Sequence, residues 1–189
     1  MAHELRVDGS LTLVPRRQDD AGEVFALVHT HRKALNEWLT WVEATYSVED
    51  ARRYARFAES QFEQLAGFDY SVRENGAIVG GIGLYHLEWA SRLAHVGYWL
   101  APSARGRGLI TRATEALTTY GFEELHLHRL EIRCVVENRK SRAVAERIGY
   151  SLEGVLKDAY LLHGRFRDLA LYAMLSENWS QAGGERKKS

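Results

Sequence analysis

The chain has 189 residues, the length of one domain with modest elaboration, and it can bury a full core without disulfides or metals. Its 25 basic and 25 acidic side chains cancel, which removes any general electrostatic attraction to nucleic acid or to an anionic membrane. An apolar content of 46% with 26% charged residues argues against disorder and against membrane residence.

No apolar run approaches the roughly 18 residues needed to cross a bilayer. Residues 1–8 lack the basic and then apolar pattern of a secretory leader. Cys134 is the single cysteine, so no internal disulfide can form. A cytoplasmic location is the expectation these features share.

In chain order, Leu11 and Leu13 read as a short strand ended by Pro15. Apolar residues then recur at helical spacing over 19–29 and 31–41, with Val24, Leu27 and Val28, then Leu35, Trp38 and Leu39. Ser47 followed by Asp50 has the form of a capping box opening a third helix through Phe62 and Leu65. Alternation over 68–73, the pair Asn75-Gly76 and a second run over 77–86 predict a hairpin. A further strand follows over 93–100, and a long amphipathic helix is predicted over 106–126. Strand period returns at Leu130, Ile132, Cys134 and Val136, and 138–148 is again helical. Two last strands over 150–173 turn at His163-Gly164. A strand–helix–strand unit inside antiparallel runs implies a mixed sheet with helices on both faces. The expected class is α/β, or α+β by a stricter convention, in one domain over 1–179 with six to seven mostly antiparallel strands. The small, polar, basic tail 180–189 is expected to be disordered.

The most informative segment is Tyr98-Trp99-Leu100-Ala101-Pro102-Ser103-Ala104-Arg105-Gly106-Arg107-Gly108-Leu109-Ile110-Thr111. A strand ends, a loop carries paired glycines and arginines, and a long helix begins. Free N–H groups at a helix start favour anions, glycines admit a phosphate close to the backbone, and Arg105 and Arg107 add full charge. Three readings compete: a plain turn with solvated arginines, a dinucleotide loop lacking its third glycine at Thr111, and a diphosphate cradle for coenzyme A.

The run from Arg105 to Gly108 after a Gly-Tyr-Trp-Leu strand resembles the acetyl-CoA signature of the GNAT superfamily. The segment from Val135 to Ser141, followed by Ile148-Gly149-Tyr150, is similar to its second signature. The likeness spans about residues 11–175 and is nearest the RimJ/RimL type, which acetylates N-termini of ribosomal proteins. It implies a GNAT-like fold, acetyl-CoA as co-substrate, no metal, and a homodimer. It places Arg105, Gly106, Arg107, Gly108, Leu109, Ile110 and Thr111 around the pyrophosphate, and Leu100 beside the pantetheine amides. Asn138 would bond the pantetheine arm, and Ser141 would protonate the departing thiolate. Ile110 stands where the superfamily often has a smaller residue.

Each of these has a simpler alternative. Asn138 also reads as a plain helix cap, and Ser141 as a surface serine. The glutamate that the RimL type uses as base is replaced here by Tyr160, and the acidic position before Gly-Tyr-Trp holds His95. His95 is therefore a candidate base, or an exposed strand histidine; Tyr160 could line the site or assist the thiolate. A free α-amine, with a pKa of about 8, costs only roughly 1.4 kcal/mol to deprotonate at pH 7, whereas a lysine costs more than three times as much. A site without a strong base thus suits a protein N-terminus.

On the acceptor side, the resemblance makes Glu37 and Trp38 candidates, with Tyr85 and His86 on the hairpin as further ones. The aromatic residues at helical spacing also read as core. Cys134 lies in phase with Leu130 and Ile132, which favours packing over nucleophilic catalysis. Two alternatives stay open: acetylation of a small amine such as a polyamine or aminoglycoside, and a coenzyme-binding sensor without catalysis.

Overall fold

The computed structural model describes residues 4–45 and 47–179; the tail 180–189 lies outside them. One sheet of eight strands runs in the order β1-β2-β3-β4-β5-β6-β8-β7. The strands are β1 (Leu5–Arg6), β2 (Leu11–Pro15), β3 (Phe68–Glu74), β4 (Ala77–Glu88), β5 (Leu93–Leu100), β6 (Arg129–Val135), β7 (Ser151–Leu162) and β8 (Arg165–Leu175). The helices are α1 (Ala21–Thr30), α2 (Arg32–Asn36), α3 (Val48–Glu63), α4 (Leu109–Glu123) and α5 (Arg139–Arg147). The strand beyond the expected seven is the two-residue β1, too short to carry a periodic signal.

Turn chemistry sets the hairpins. Asn75 and Gly76 have φ of 50° and 87°, as do His163 and Gly164 at 50° and 73°, the left-handed pairs that suit tight antiparallel connections. Ser47 and Asp50 cap α3 reciprocally: the Asp50 N–H donates to Ser47 Oγ at 3.1 Å and the Ser47 N–H to Asp50 Oδ2 at 2.9 Å.

Two helices differ from expectation. The long helix starts at Leu109 rather than 106, because Gly106 and Gly108 are left-handed and cannot belong to it. The segment 31–41 breaks into the five-residue α2 and a 3₁₀ turn over Thr40–Ala44. That break lets Val28, Leu35 and Val42 meet in a small core of their own against Trp99.

Strand register divides the sheet into two faces. One carries Leu13, Val72, Tyr70, Ile82, Val96, Leu130, Ile132 and Cys134 into the main core with α4. The opposite face, toward α1 and α3, carries Ser71, Asp69, Gly81, Gly83, Tyr85, His95, Gly97 and Trp99. Its glycines are a packing requirement. A Cβ on Gly83 would stand 2.7 Å from both the Phe68 carbonyl and the Tyr85 ring, and one on Gly97 3.0 Å from that ring. Tyr85 therefore lies flat across two strands.

β5 and β6 form the one parallel pair among the described residues, joined through α4. Their ladder runs Leu93↔Arg129, Ala94↔Leu130, His95↔Glu131 and stops, although both strands continue. β5 stays bonded to β4 as far as Leu100↔Gly80, and β6 to β8 as far as Val135↔Leu169. The sheet thus opens into a wedge-shaped gap after His95, leaving one edge of β5 without a strand partner.

Gly83→Ala is expected to destabilise the fold by about 2 kcal/mol, as overpacking does, because a backbone carbonyl cannot yield. A thermal melt should show Tm lower by roughly 5 °C.

Candidate active site

The cradle predicted from sequence is built at the mouth of this gap. Gly106 and Gly108 hold φ of 82° and 70°, and Gly108 caps the 15-residue α4. No atom lies within 4 Å of a Cβ placed on Gly106, so a bulky group can approach the backbone. Among the described residues, none of the backbone N–H groups of 106–111 has an acceptor in the protein. Successive free donors at the positive end of a helix form a seat for an anion.

A cavity of about 960 Å³ opens over that seat. It gathers Leu100, Arg105, Gly106, Gly108, Leu109, Ile110 and Thr111 from the cradle, Asn138 and Ser141 from α5, and Glu37 and Trp38 from beyond α2. Arg107 is the correction. It does not line the cavity, and its guanidinium pairs with Glu74 Oε1 at 2.8 Å. The cavity is bordered instead by cations not singled out from sequence: Arg112, which pairs with Asp8 Oδ2 at 2.9 Å, and Arg139, Lys140 and Arg147. A partial signal was available, since Lys140 and Arg147 lie seven residues apart and hence on one face of α5. The donor set suits a polyanionic cofactor: a large open cradle, unpaired N–H groups and several guanidinium or ammonium groups.

Asn138 both caps and lines. Its Oδ1 accepts the Ser141 N–H at 3.1 Å while the residue borders the cavity. Deeper in, Tyr98 donates its hydroxyl to the Ser141 carbonyl at 3.0 Å and stands 3.1 Å from Ser141 Oγ. Burial pushes the Tyr98 phenol far above its ordinary value, so it stays protonated. Cys134 is buried in the main core, and burial raises its thiol, with the Ser141 hydroxyl pulling the other way. No local signal marks Tyr98 as a partner of Ser141, because their hydrogen bond joins residues 43 apart in sequence.

On the other face, His95 occupies the last rung before the gap. Its Nε2 lies 3.4 Å from Glu131 Oε2 and its ring 5.1 Å from that of His86. Burial, then the Arg133 charge, lowers the His95 pKa below its ordinary 6.5, with Glu131 pulling the other way. Glu131 is itself held ionised against its burial by Arg129 and Arg133. Neither His95 nor His86 lines the large cavity. Tyr85 turns inward, donating to Asp69 Oδ2 at 2.7 Å. Tyr160 lies outside the cavity too; its hydroxyl meets Thr40 Oγ1 at 3.2 Å, and beside it His163 Nε2 meets the Asn36 carbonyl at 2.6 Å. The β7–β8 hairpin is thereby fastened to the end of α2.

The profile of the Acetyltransferase (GNAT) domain matches residues 10–151. The chain belongs to the GNAT acetyltransferase family. It is 34% identical over 175 residues to YdaF of Bacillus subtilis, whose name assigns it provisionally to ribosomal N-acetylation; the match covers 92% of this chain and 96% of that one. The ribosomal-protein-serine acetyltransferase of Escherichia coli is 28% identical over 178 residues, covering 94% and 99%. Among solved structures, RimL, a ribosomal L7/L12 α-N-protein acetyltransferase bound to coenzyme A through a cysteine disulfide, superposes with a TM-score of 0.90. It has 26% identity and covers 93% of this chain and 99% of that chain. The fold is thus of the RimJ/RimL type, and the activity is acetyl transfer.

For a GNAT enzyme the arrangement has a direct chemical meaning. The gap is a passage through the sheet: Ser141, Tyr98 and Cys134 stand on the helix α4–α5 side, His95, Tyr85 and Trp99 on the side of α1 and α3. The unpaired edge of β5 offers backbone N–H groups that can bond amides or stabilise developing negative charge. Gly108→Ala should force an L side chain into a left-handed position, at about 1 kcal/mol, and crowd the anion seat. Titration calorimetry is expected to show coenzyme A uptake weakened by roughly tenfold or more.

Proposed function

We propose that this enzyme transfers the acetyl group of acetyl-CoA to the N-terminal amine of a protein, a ribosomal protein being the favoured class. The observation that carries the reading is the gap after the His95↔Glu131 rung, which joins a cation-lined cavity on one face to an aromatic surface on the other. The names of the relatives point the same way.

Acetyl-CoA, when bound, supplies the activated acyl group. Arg105, Arg112, Arg139, Lys140 and Arg147, with the free N–H groups of 106–111, hold its phosphates. The β5 edge near Leu100 and the Asn138 side chain orient the pantetheine arm. Tyr98 remains protonated and holds Ser141 by donating to its carbonyl, while the Ser141 hydroxyl gives a proton to the departing sulfur and regains one from water. His95, neutral near pH 7, accepts the proton of the incoming amine, directly or through water, and Glu131 steadies its Nε2. Tyr160 ties β7 to the turn after α2.

A polyamine acceptor fits less well. Spermidine N(1)-acetyltransferase of Escherichia coli is 28% identical over 130 residues, but the two carboxylates of the aromatic cavity, Asp50 and Asp69, are already paired with Arg53 and Arg16. A polycation would meet arginines there. We also place the enzyme in the cytoplasm, where its lone buried thiol stays reduced, and infer that it works as a homodimer. Leu152, Val155, Leu161 and Phe166, all exposed on the edge hairpin, supply an apolar surface for a second copy.

Thiol release with peptides bearing free N-termini should exceed that with N-blocked lysine peptides or spermidine by at least about tenfold, following the cost of deprotonating each amine. Equal or greater rates on lysine or spermidine would overturn the acceptor assignment. His95 leaves a pH signature. Because its pKa lies below 6.5, its neutral form predominates at pH 7 and is lost as pH falls through that lowered value. The plot of log kcat/KM against pH should have slope one between that value and the amine pKa of about 8, and slope two beneath it. In His95→Gln the second break should vanish and the rate fall by about a hundredfold.

A further inference from the structure

Trp99 borders the cofactor cavity and also walls a second cavity of about 410 Å³ on the α1–α3 side of the sheet. That volume lies in the range of ligand pockets. Trp41 meets Trp99 edge-on at 5.6 Å, and Tyr54 and Phe57 on α3 complete an aromatic enclosure. Trp41, Tyr54 and Phe57 are 38%, 45% and 56% exposed, so aromatic surface is open to solvent around a concave site.

The floor is preorganised and electrically spent. Arg16, 5% exposed, donates Nε to Asp69 Oδ1 at 2.7 Å. Tyr54 and Tyr85 donate to Asp69 Oδ2 at 2.6 and 2.7 Å. Burial, and then the Asp69 charge, push the Tyr54 and Tyr85 phenols above their ordinary value, so both remain donors. At the mouth stand the exposed Arg17 and Arg53, the latter paired with Asp50. A basic group would find every carboxylate already engaged and arginines at the entrance. An apolar group, above all a flat ring, would find aromatic walls and no desolvation cost for a free charge.

We propose that this second cavity is the acceptor's specificity pocket, taking an apolar, preferentially aromatic, side chain from the first residues of the substrate peptide. The assignment rests on the N-terminal acetylation reading above and adds to it which termini are chosen. Tyr85 on the floor is the strand partner of His95, so a side chain held in the cavity leaves the adjoining α-amine free to enter the gap beside His95.

The test compares kcat/KM on peptides that differ only at residues one to three, carrying Ala, Leu, Phe, Trp or Lys. The whole enzyme is used, alongside Ala51→Leu, which fills the cavity from α3, and Phe57→Ala, which removes an exposed wall without touching the core. The wild type should favour Phe or Trp over Ala by about tenfold or more at one of those positions, through KM, and should disfavour Lys. Ala51→Leu should collapse the Phe-to-Ala ratio toward one, and Phe57→Ala should reduce it by about threefold or more, each with coenzyme A affinity retained. Phe57→Ala keeps the test valid if the buried Ala51 position does not tolerate leucine. A flat wild-type panel, or variants that slow every peptide alike, overturns the pocket while leaving N-terminal acetylation standing. Acetylation of spermidine with no peptide accepted overturns both.

Discussion

Two neighbouring strands that start as partners and then separate set the terms for everything else in this protein. β5 and β6 share three rungs and part after His95↔Glu131, yet each remains bonded to its outer neighbour. A sheet interior normally satisfies every backbone group with a strand partner. Here one edge of β5 is left for something else, and the helices that follow the two strands, α4 and α5, begin just past the opening. Both helix starts, with their cationic side chains, therefore converge on one cavity. Tyr98, reaching from β5 to Ser141 of α5, braces the two sides.

The face toward α1 and α3 solves a different problem. Large rings must lie flat on a sheet without lifting the helices above it, and Gly81, Gly83 and Gly97 supply the room. The rings then need partners for their hydroxyls, which the buried Arg16–Asp69 pair provides. A buried ion pair of this kind is a weak source of stability, since desolvation offsets most of its attraction. Its consequence is geometric: it fixes a neutral floor beneath an aromatic enclosure. The cation-lined cavity and the aromatic one thus share the Trp99 wall.

Legibility from sequence followed the range of the interaction concerned. Paired glycines before an amphipathic run announced the cradle, because left-handed turns and helix starts are decided within a few residues. Asn138 as a cap and Ser47–Asp50 as a capping box were readable for the same reason. Arg107 read as a phosphate ligand by proximity, but its charge found Glu74, a partner 33 residues away that local spacing cannot reveal. Arg112, Arg139, Lys140 and Arg147 each read as an ordinary surface cation until two helices are placed side by side. The aromatic enclosure was hidden likewise: Trp41, Tyr54 and Trp99 look like core residues when taken one at a time.

The amino-acid order by itself determined the element types, the hairpin turns, the glycine cradle and the membership in a family that handles acetyl-CoA, since these follow from local backbone preference and short-range patterning. Only the tertiary structure decided where β5 and β6 part, which cations face the cradle, and that His95 stands at the apex with Glu131. It also decided that an aromatic cavity lies behind Trp99. Those facts depend on strand register and on contacts between residues far apart in the chain, and register is settled by the packing of the whole sheet rather than by any single segment.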